Sequence, residues 1–401
     1  MRSPTAEAGP ATARAATRSS SARSGISDAD GPSRSAASPP WPDARRSRSV
    51  ASSRPSGTGS DRPLTIRYGS IRSRFVRNRF VRNRLAGAAF PSRSRRDETG
   101  DCVSDYDVLI VGGGPAGLSA ALILGRALRR VLLCDEGKGR NAASHELHGF
   151  LTRDCTHPSE LRQTGRDQLR RYPNVELREV RVEDARKEGA RYAVTLAGGE
   201  TVGCRKLLLA TGIRDDLPPI EGAERFYGRG VYHCPYCDGW ENRGAPLAVY
   251  GPEAHGARLA IELRGWSDDI VVFSGESAAI GPELAGRLRR HGIAIEGTPV
   301  AALEGDECLR AIRLADGRVL ERKALFFAMP DRQASDLAER LGCRFTRRGA
   351  VDTGTYETTN VPGLYVAGDS SRHVQLAIVA ASEGAMAAFA INSELLAEDF
   401  P

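Results

Sequence analysis

The stretch "YDVLIVGGGPAGLSAALILGRALRRVLLCDEG", Tyr106 to Gly137, decides the fold. Val108 to Val111 is a short apolar run of the buried-strand kind. It leads into Gly112-x-Gly114-x-x-Gly117, then a helical pattern, then a second apolar run, Val131 to Leu133, with Asp135 just beyond. Each residue type at this spacing has a physical task. Gly112 permits a tight turn, Gly114 lets the backbone approach a pyrophosphate, and Gly117 lets helix and strand pack closely. The helix that begins at Pro115 and Ala116 offers free N–H groups and a positive dipole to phosphates. Asp135 is placed to accept hydrogen bonds from ribose hydroxyls. Strand, glycines, helix, strand and acid fall in register, so a dinucleotide is expected here.

Two later stretches bear on which dinucleotide it is. "RKLLLATG", Arg205 to Gly212, reads as a buried strand ending in Ala210-Thr211-Gly212. "VPGLYVAGDSS", Val361 to Ser371, reads as another strand, ending in Gly368-Asp369, and a small-residue helical stretch containing Gln375 follows. A carboxylate at such a strand end can meet ribityl hydroxyls. The ordered set resembles the flavoprotein disulfide reductase superfamily, and the cofactor this implies is FAD.

The chemistry-bearing motif lies between them: "VYHCPYCDGW", Val231 to Trp240. Three readings of Cys234 and Cys237 compete. Zinc needs about four ligands, usually two such pairs or a pair with two histidines, and no second close pair or repeated histidine spacing exists, so no metal is expected. A purely structural staple across so short a loop would contribute little. A redox dithiol suits the spacing, since one sulfur can attack outward while its neighbour resolves the mixed disulfide. Asp238 then supplies a carboxylate for moving protons.

The order of these motifs resembles low-molecular-weight thioredoxin reductase from Tyr106 to about Leu396. The resemblance implies an α/β fold of two Rossmann-like dinucleotide-binding domains, the second inserted in the first. It implies FAD-domain halves over 105–217 and 325–401 and an inserted unit over 218–324 carrying the cysteine pair. It also implies that Cys237 faces the flavin, Cys234 meets the substrate, Asp238 is the acid, Gln375 lies beside the flavin, and the molecule is a homodimer. The substrate class it implies is a small dithiol or a thioredoxin-like protein.

The match to a reductase fails at the second nucleotide site. In "PLAVYGPEAHG", Gly251 and Gly256 stand at the first and third glycine positions, but Glu253 takes the middle one. After the apolar run Ile270 to Phe273 come Ser274-Gly275-Glu276, with no basic cluster for a 2′-phosphate. NAD(P)H is therefore not expected as a working cofactor. "GRNAASHELHGFLTRD", Gly139 to Asp154 with Asn141 near its start, together with "HCPYCDGWE", is more similar to FAD-dependent dithiol oxidases of the holomycin and gliotoxin type. That branch passes electrons from a dithiol to dioxygen. It often carries His after the second cysteine, where this chain has Asp238. Alternatives are an NAD(P)H-dependent thioredoxin reductase, a ferredoxin-fed reductase and a non-catalytic flavin-binding protein.

The remaining features bound the setting. Residues 1–96 hold 20 arginines, no lysine and 5 acidic residues, a charge of +15, whereas the rest holds 37 basic against 45 acidic residues, or −8. The basic character thus belongs to a Ser-, Ala- and Pro-rich leader, residues 1–104, expected to be a disordered tail, and nucleic acid is not an expected partner of the body. The leader contains a short tandem repeat, "RFVRNRFVRNR", Arg74 to Arg84, and no apolar core of a secretory signal. Eight cysteines, scattered apart from the one pair, point to a reducing, cytoplasmic setting. No run is long and apolar enough to suggest a membrane span.

Overall fold

The computed structural model describes residues 94–96, 102–273 and 280–401. Almost all of the Arg/Ser-rich leader and Ser274-Gly275-Glu276 lie outside the described residues. Two sheets organise the rest. In the first, the parallel strands Val175–Arg178, Val131–Cys134, Cys102–Val111 and Thr201–Leu209 lie side by side in that order. Thr201–Leu209 shares its far edge between two partners. Its start pairs antiparallel with Arg191–Leu196, and its end pairs parallel with Leu364–Val366. The last strand begins 155 residues after Leu209, so the sheet is completed only by the C-terminal part of the chain.

The apolar run Val108 to Val111 is continuous because both faces are covered. Val108 and Ile110 pack with Ala120, Ala121 and Leu124 of the helix Pro115–Arg126 and with Ala387 and Ile391 of the helix Ala377–Asp399. Leu109 and Val111 face the other way, toward Val194, Leu207, Leu337 and Val351. The two helices approach closely through small residues. A Cβ at Gly384 would lie 1.9 Å from the Ala116 carbonyl oxygen.

The second sheet is wholly parallel, in the order Ala294–Glu296, Ile270–Phe273, Leu247–Tyr250, Ala324–Phe327, Val231–Tyr232. Leu247, Val249, Ile270, Val272 and Phe326 meet Ala257, Leu263 and Leu288 from the helices Glu253–Leu263 and Pro282–Arg290. Ala248, Val271, Leu325 and Phe327 face Leu303, Ile312 and Leu314 of an antiparallel meander spanning Val300–Glu321. The fold is therefore α/β with two Rossmann-like units, the second inserted in the first. The chain crosses between them at a two-stranded ladder, Ile213–Asp215 against Asp331–Gln333, so its return falls a few residues after Ala324–Phe327 has closed the second sheet.

Candidate active site

The glycine loop is shaped by close backbone approaches. Gly112 has φ +108°, and a Cβ there would lie 2.2 Å from the Ala210 carbonyl oxygen. Gly117 sits behind the loop, where a Cβ would lie 1.9 Å from the Gly112 carbonyl oxygen. Gly114 differs, because a Cβ there would meet nothing within 4 Å. That open space belongs to a cavity of about 800 Å³, large enough for a dinucleotide.

The sequence-predicted residues converge on this cavity. Gly112, Gly114, Pro115 and Ala116 line it from the loop and helix start. Asp135 and Asn141 line it from beyond the second strand, and Ala210, Thr211 and Gly212 from the end of Thr201–Leu209. Gly368, Asp369 and Gln375 line it from the C-terminal part, while Gly117 only supports the loop. Glu383, buried on the last helix, holds the Gly368 turn by accepting from its N–H at 2.8 Å.

Several charged residues that sequence reading missed also stand here. Arg140 donates to both carboxylate oxygens of Asp215 at 2.5 and 2.8 Å, to Asp369 at 2.9 Å and to the Gln375 carbonyl oxygen at 2.8 Å. Tyr227 donates its hydroxyl to Asp215 at 2.8 Å. Burial alone would raise the Asp215 pKa, but hydrogen bonds from Arg140 and Tyr227 outweigh it and hold the carboxyl below its ordinary value. Burial raises the Asp369 pKa despite Arg140, and lowers that of His233 to about 4, leaving a neutral imidazole. Asp135 is met by Arg166 at 2.5 Å. These partners lie 12 to 235 residues apart in sequence, and no spacing signal announces them.

The cysteine pair approaches the same cavity from the second unit. Val231–Tyr232, the edge strand of the second sheet, runs straight into His233 and Cys234, and a single helical turn, Pro235–Asp238, follows. Cys234 and Cys237 form a disulfide with Cα atoms 5.3 Å apart, and the Cys234 Sγ accepts from the Cys237 N–H at 3.1 Å. Cys237 and Asp238 line the cavity, whereas Cys234 does not. Tyr236 and Trp240 stand exposed beside the pair. Burial pushes the Asp238 pKa up to about 7, with Glu241 adding to the shift and His148 opposing it. His148, also missed in the sequence, places Nδ1 2.8 Å from the Cys237 carbonyl oxygen. Burial disfavours its charged form, but Glu241, the Cys237 carbonyl and Glu146 outweigh this and raise its pKa.

In the second unit the outer two glycines keep their packing roles. A Cβ at Gly256 would lie 2.7 Å from the Gly251 carbonyl oxygen, and one at Gly251 would lie 3.0 Å from the Ala328 Cβ. Glu253 opens the helix that follows.

Comparison with known proteins agrees with this architecture. The family described as pyridine nucleotide-disulphide oxidoreductase matches residues 106–384. The chain is 31% identical over 304 residues to a probable thioredoxin reductase of Arthroderma benhamiae, covering 66% of this chain and 74% of that protein. It is 30% identical to the thioredoxin reductase aclD of Aspergillus oryzae, covering 72% and 96%. The crystal structure of HlmI superposes with a TM-score of 0.71 at 35% identity, covering 76% of this chain and 96% of that one. This chain belongs to the pyridine nucleotide-disulphide oxidoreductase family, as an enzyme of the thioredoxin reductase-like, disulfide oxidoreductase kind.

Proposed function

We propose that the protein is an FAD-dependent dithiol oxidase in which Cys234 meets a small dithiol and Cys237 faces the flavin. One observation carries this reading. Cys237 and Asp238 line the cavity that the glycine loop opens, while Cys234 lies outside it among exposed aromatic side chains. The residues present fit FAD: the space over Gly114 admits a pyrophosphate at a helix N-terminus, Asp135 is set for ribose hydroxyls, Thr211 and Asp369 follow the far strand ends, and Gln375 precedes the last helix. The chemistry FAD supplies when bound is acceptance of the electron pair from the Cys234/Cys237 dithiol and its delivery to dioxygen, with hydrogen peroxide as product.

The protein's own residues carry the thiol exchange. A substrate thiolate attacks the Cys234 sulfur, the Cys234–Cys237 bond breaks, and Cys237 leaves as a thiolate. The second substrate thiolate then attacks the substrate sulfur of the mixed disulfide. This forms the substrate disulfide and releases Cys234 as a thiolate, so two electrons pass to the pair. Asp238, with a pKa near 7, can hold or release a proton beside Cys237 at neutral pH. The setting we propose is cytoplasmic and the assembly a homodimer. No helix among the described residues is long and apolar enough to cross a membrane, and Phe389 and Leu396 stand exposed on the last helix.

By sequence position, Glu253 takes the middle glycine of the second loop, and Ser274-Gly275-Glu276 supply no basic cluster for a 2′-phosphate. A second reading, NAD(P)H-dependent reduction of a thioredoxin-like protein, is favoured by the retained parallel sheet of the second unit and by the relatives' names. An anaerobic titration separates the two. A small dithiol is expected to bleach the flavin, and air to restore it with one peroxide per turnover, while micromolar NADPH leaves it yellow. Cys237→Ser is expected to keep its flavin and lose turnover. Rapid, saturable bleaching by micromolar NADPH would replace the oxidase reading with the reductase one.

A further inference from the structure

A second constellation stands at the rim of the cavity and has no part in the thiol exchange. Glu146, His148 and Cys155 each bring one ligand atom to within 4.8 Å of the others. A small hairpin holds them together. The Leu147 N–H donates to the Thr156 carbonyl at 2.8 Å and the Cys155 N–H to the Leu147 carbonyl at 2.9 Å, so the residues on either side of Leu147 face Cys155 across one turn.

The orientation of His148 is the informative feature. Its Nδ1 lies 2.8 Å from the Cys237 carbonyl oxygen, which can only accept, so Nδ1 carries the proton. In the neutral ring Nε2 then presents a lone pair. The groups facing it are acceptors too, Glu146 Oε2 at 3.3 Å and Glu241 Oε1 at 3.6 Å. A lone pair set against two carboxylates calls for a positive charge between them. A second proton on the ring would supply one and leave the Cys155 thiol with only its long contact to Asp154 Oδ2 at 3.9 Å. A metal ion uses all three groups. A histidine whose other ring nitrogen donates to a backbone carbonyl is also the usual arrangement at metal centres.

We propose that Glu146, His148 and Cys155 form a Zn²⁺ site at the mouth of the cavity. The mixed sulfur, nitrogen and oxygen set suits a borderline-soft ion and disfavours Mg²⁺ or Ca²⁺, which take oxygen ligands. Zinc bonds of about 2.0–2.3 Å put tetrahedral ligands roughly 3.3–3.8 Å apart, so the site closes with a movement on the order of 1 Å by the exposed Glu146 and Cys155 side chains. Three protein ligands leave the fourth position for water or an incoming thiolate. Asp154 and Glu241 add negative charge around it without being counted as ligands. Occupancy is coupled to the redox centre, because the ring that binds the metal also holds the Cys237 carbonyl.

The test uses the tag-free, flavin-loaded enzyme in its oxidised form, where the Cys234–Cys237 disulfide cannot bind metal. Competition against a chromophoric chelator is expected to show one Zn²⁺ per chain. Co²⁺ in its place is expected to give a thiolate-to-cobalt charge-transfer band and a tetrahedral ligand-field spectrum. Cys155→Ser, a conservative change at an exposed side chain, should abolish that band and weaken Zn²⁺ binding by at least the ~10–100-fold typical of disturbing a metal's supporting shell, with flavin content unchanged. His148→Gln should weaken binding to a similar degree, and Cys308→Ser, at another exposed thiol, should leave it unaltered. Absence of stoichiometric Zn²⁺ in the oxidised enzyme, or unaltered binding and spectrum in Cys155→Ser, would overturn the site. Neither result depends on whether dioxygen or NADPH is the flavin's partner.

Discussion

The two glycine loops of this molecule were built to one plan and have parted at one position. In both, the outer glycines are demanded by backbone contact: Gly117 against the Gly112 carbonyl in the first loop, Gly256 against the Gly251 carbonyl in the second. These contacts let a helix sit on its strand and are needed whether or not a nucleotide binds. The middle glycine of the first loop, Gly114, touches nothing. Its absence of side chain is of use only to a ligand. In the second loop that position holds Glu253. The residues that folding requires are still there, and the one that a pyrophosphate would require is not.

The largest expected effect comes from carrying the second loop's acid into the first. Gly114→Glu fills the open space and sets a carboxylate against the phosphates. Losing charge-assisted contacts worth about 1.5–3 kcal/mol each, and adding a repulsive charge, should lower flavin affinity by roughly 1000-fold or more. The variant is expected to purify colourless yet folded, as judged by absorbance and circular dichroism. The packing glycines come next, and they should respond in proportion to overlap. Gly117→Ala would force a Cβ to 1.9 Å from backbone, Gly256→Ala only to 2.7 Å. Urea unfolding should show a loss of about 3 kcal/mol for the first and about 1–2 kcal/mol for the second. Equal costs would mean that backbone overlap does not set the cost at these two positions. The smallest effect is expected from the reverse exchange. Glu253→Gly removes one repulsive charge but supplies no cation near Ser274-Gly275-Glu276, and a gain in NADPH affinity of at most about tenfold should appear in equilibrium binding, near 1.4 kcal/mol. A larger gain would show that this one side chain is what keeps the coenzyme out.

Much of this comparison could be read from sequence, because both loops combine a local hydrophobic period with glycines at fixed offsets. Leu247 to Tyr250 and Ile270 to Phe273 are strands over the residues where their apolar runs lie. The last strand of the first sheet is shorter than its apolar run suggests, Leu364–Val366 rather than a run from Val361. Pro362 cannot donate to a ladder, Gly363 turns at φ +80°, and Gly368 turns again at φ +86° to release Asp369 into the cavity. What sequence did not disclose is the charge network. Arg140 meets Asp215 and Asp369 across separations of 75 and 229 residues, and Arg140 and Asp215 taken alone resemble ordinary surface charges. His148 escaped notice for the same reason. Only the fold brings it to the carbonyl of Cys237.

The closure of the first sheet by Leu364–Val366, and the seating of Gly384 on Ala116, have a consequence for how the protein is made. On the ribosome, the glycine loop emerges some 250 residues before the strand and helix that complete its surroundings. Through that interval Val108, Ile110 and the inner face of Pro115–Arg126 lack their final cover, and the inserted unit must form while its host is unfinished. Capture of the proposed flavin would then be a late event in the life of each chain. A product that stops short of Leu364–Val366 and the last helix would carry the fingerprint and still lack part of the proposed cofactor's site.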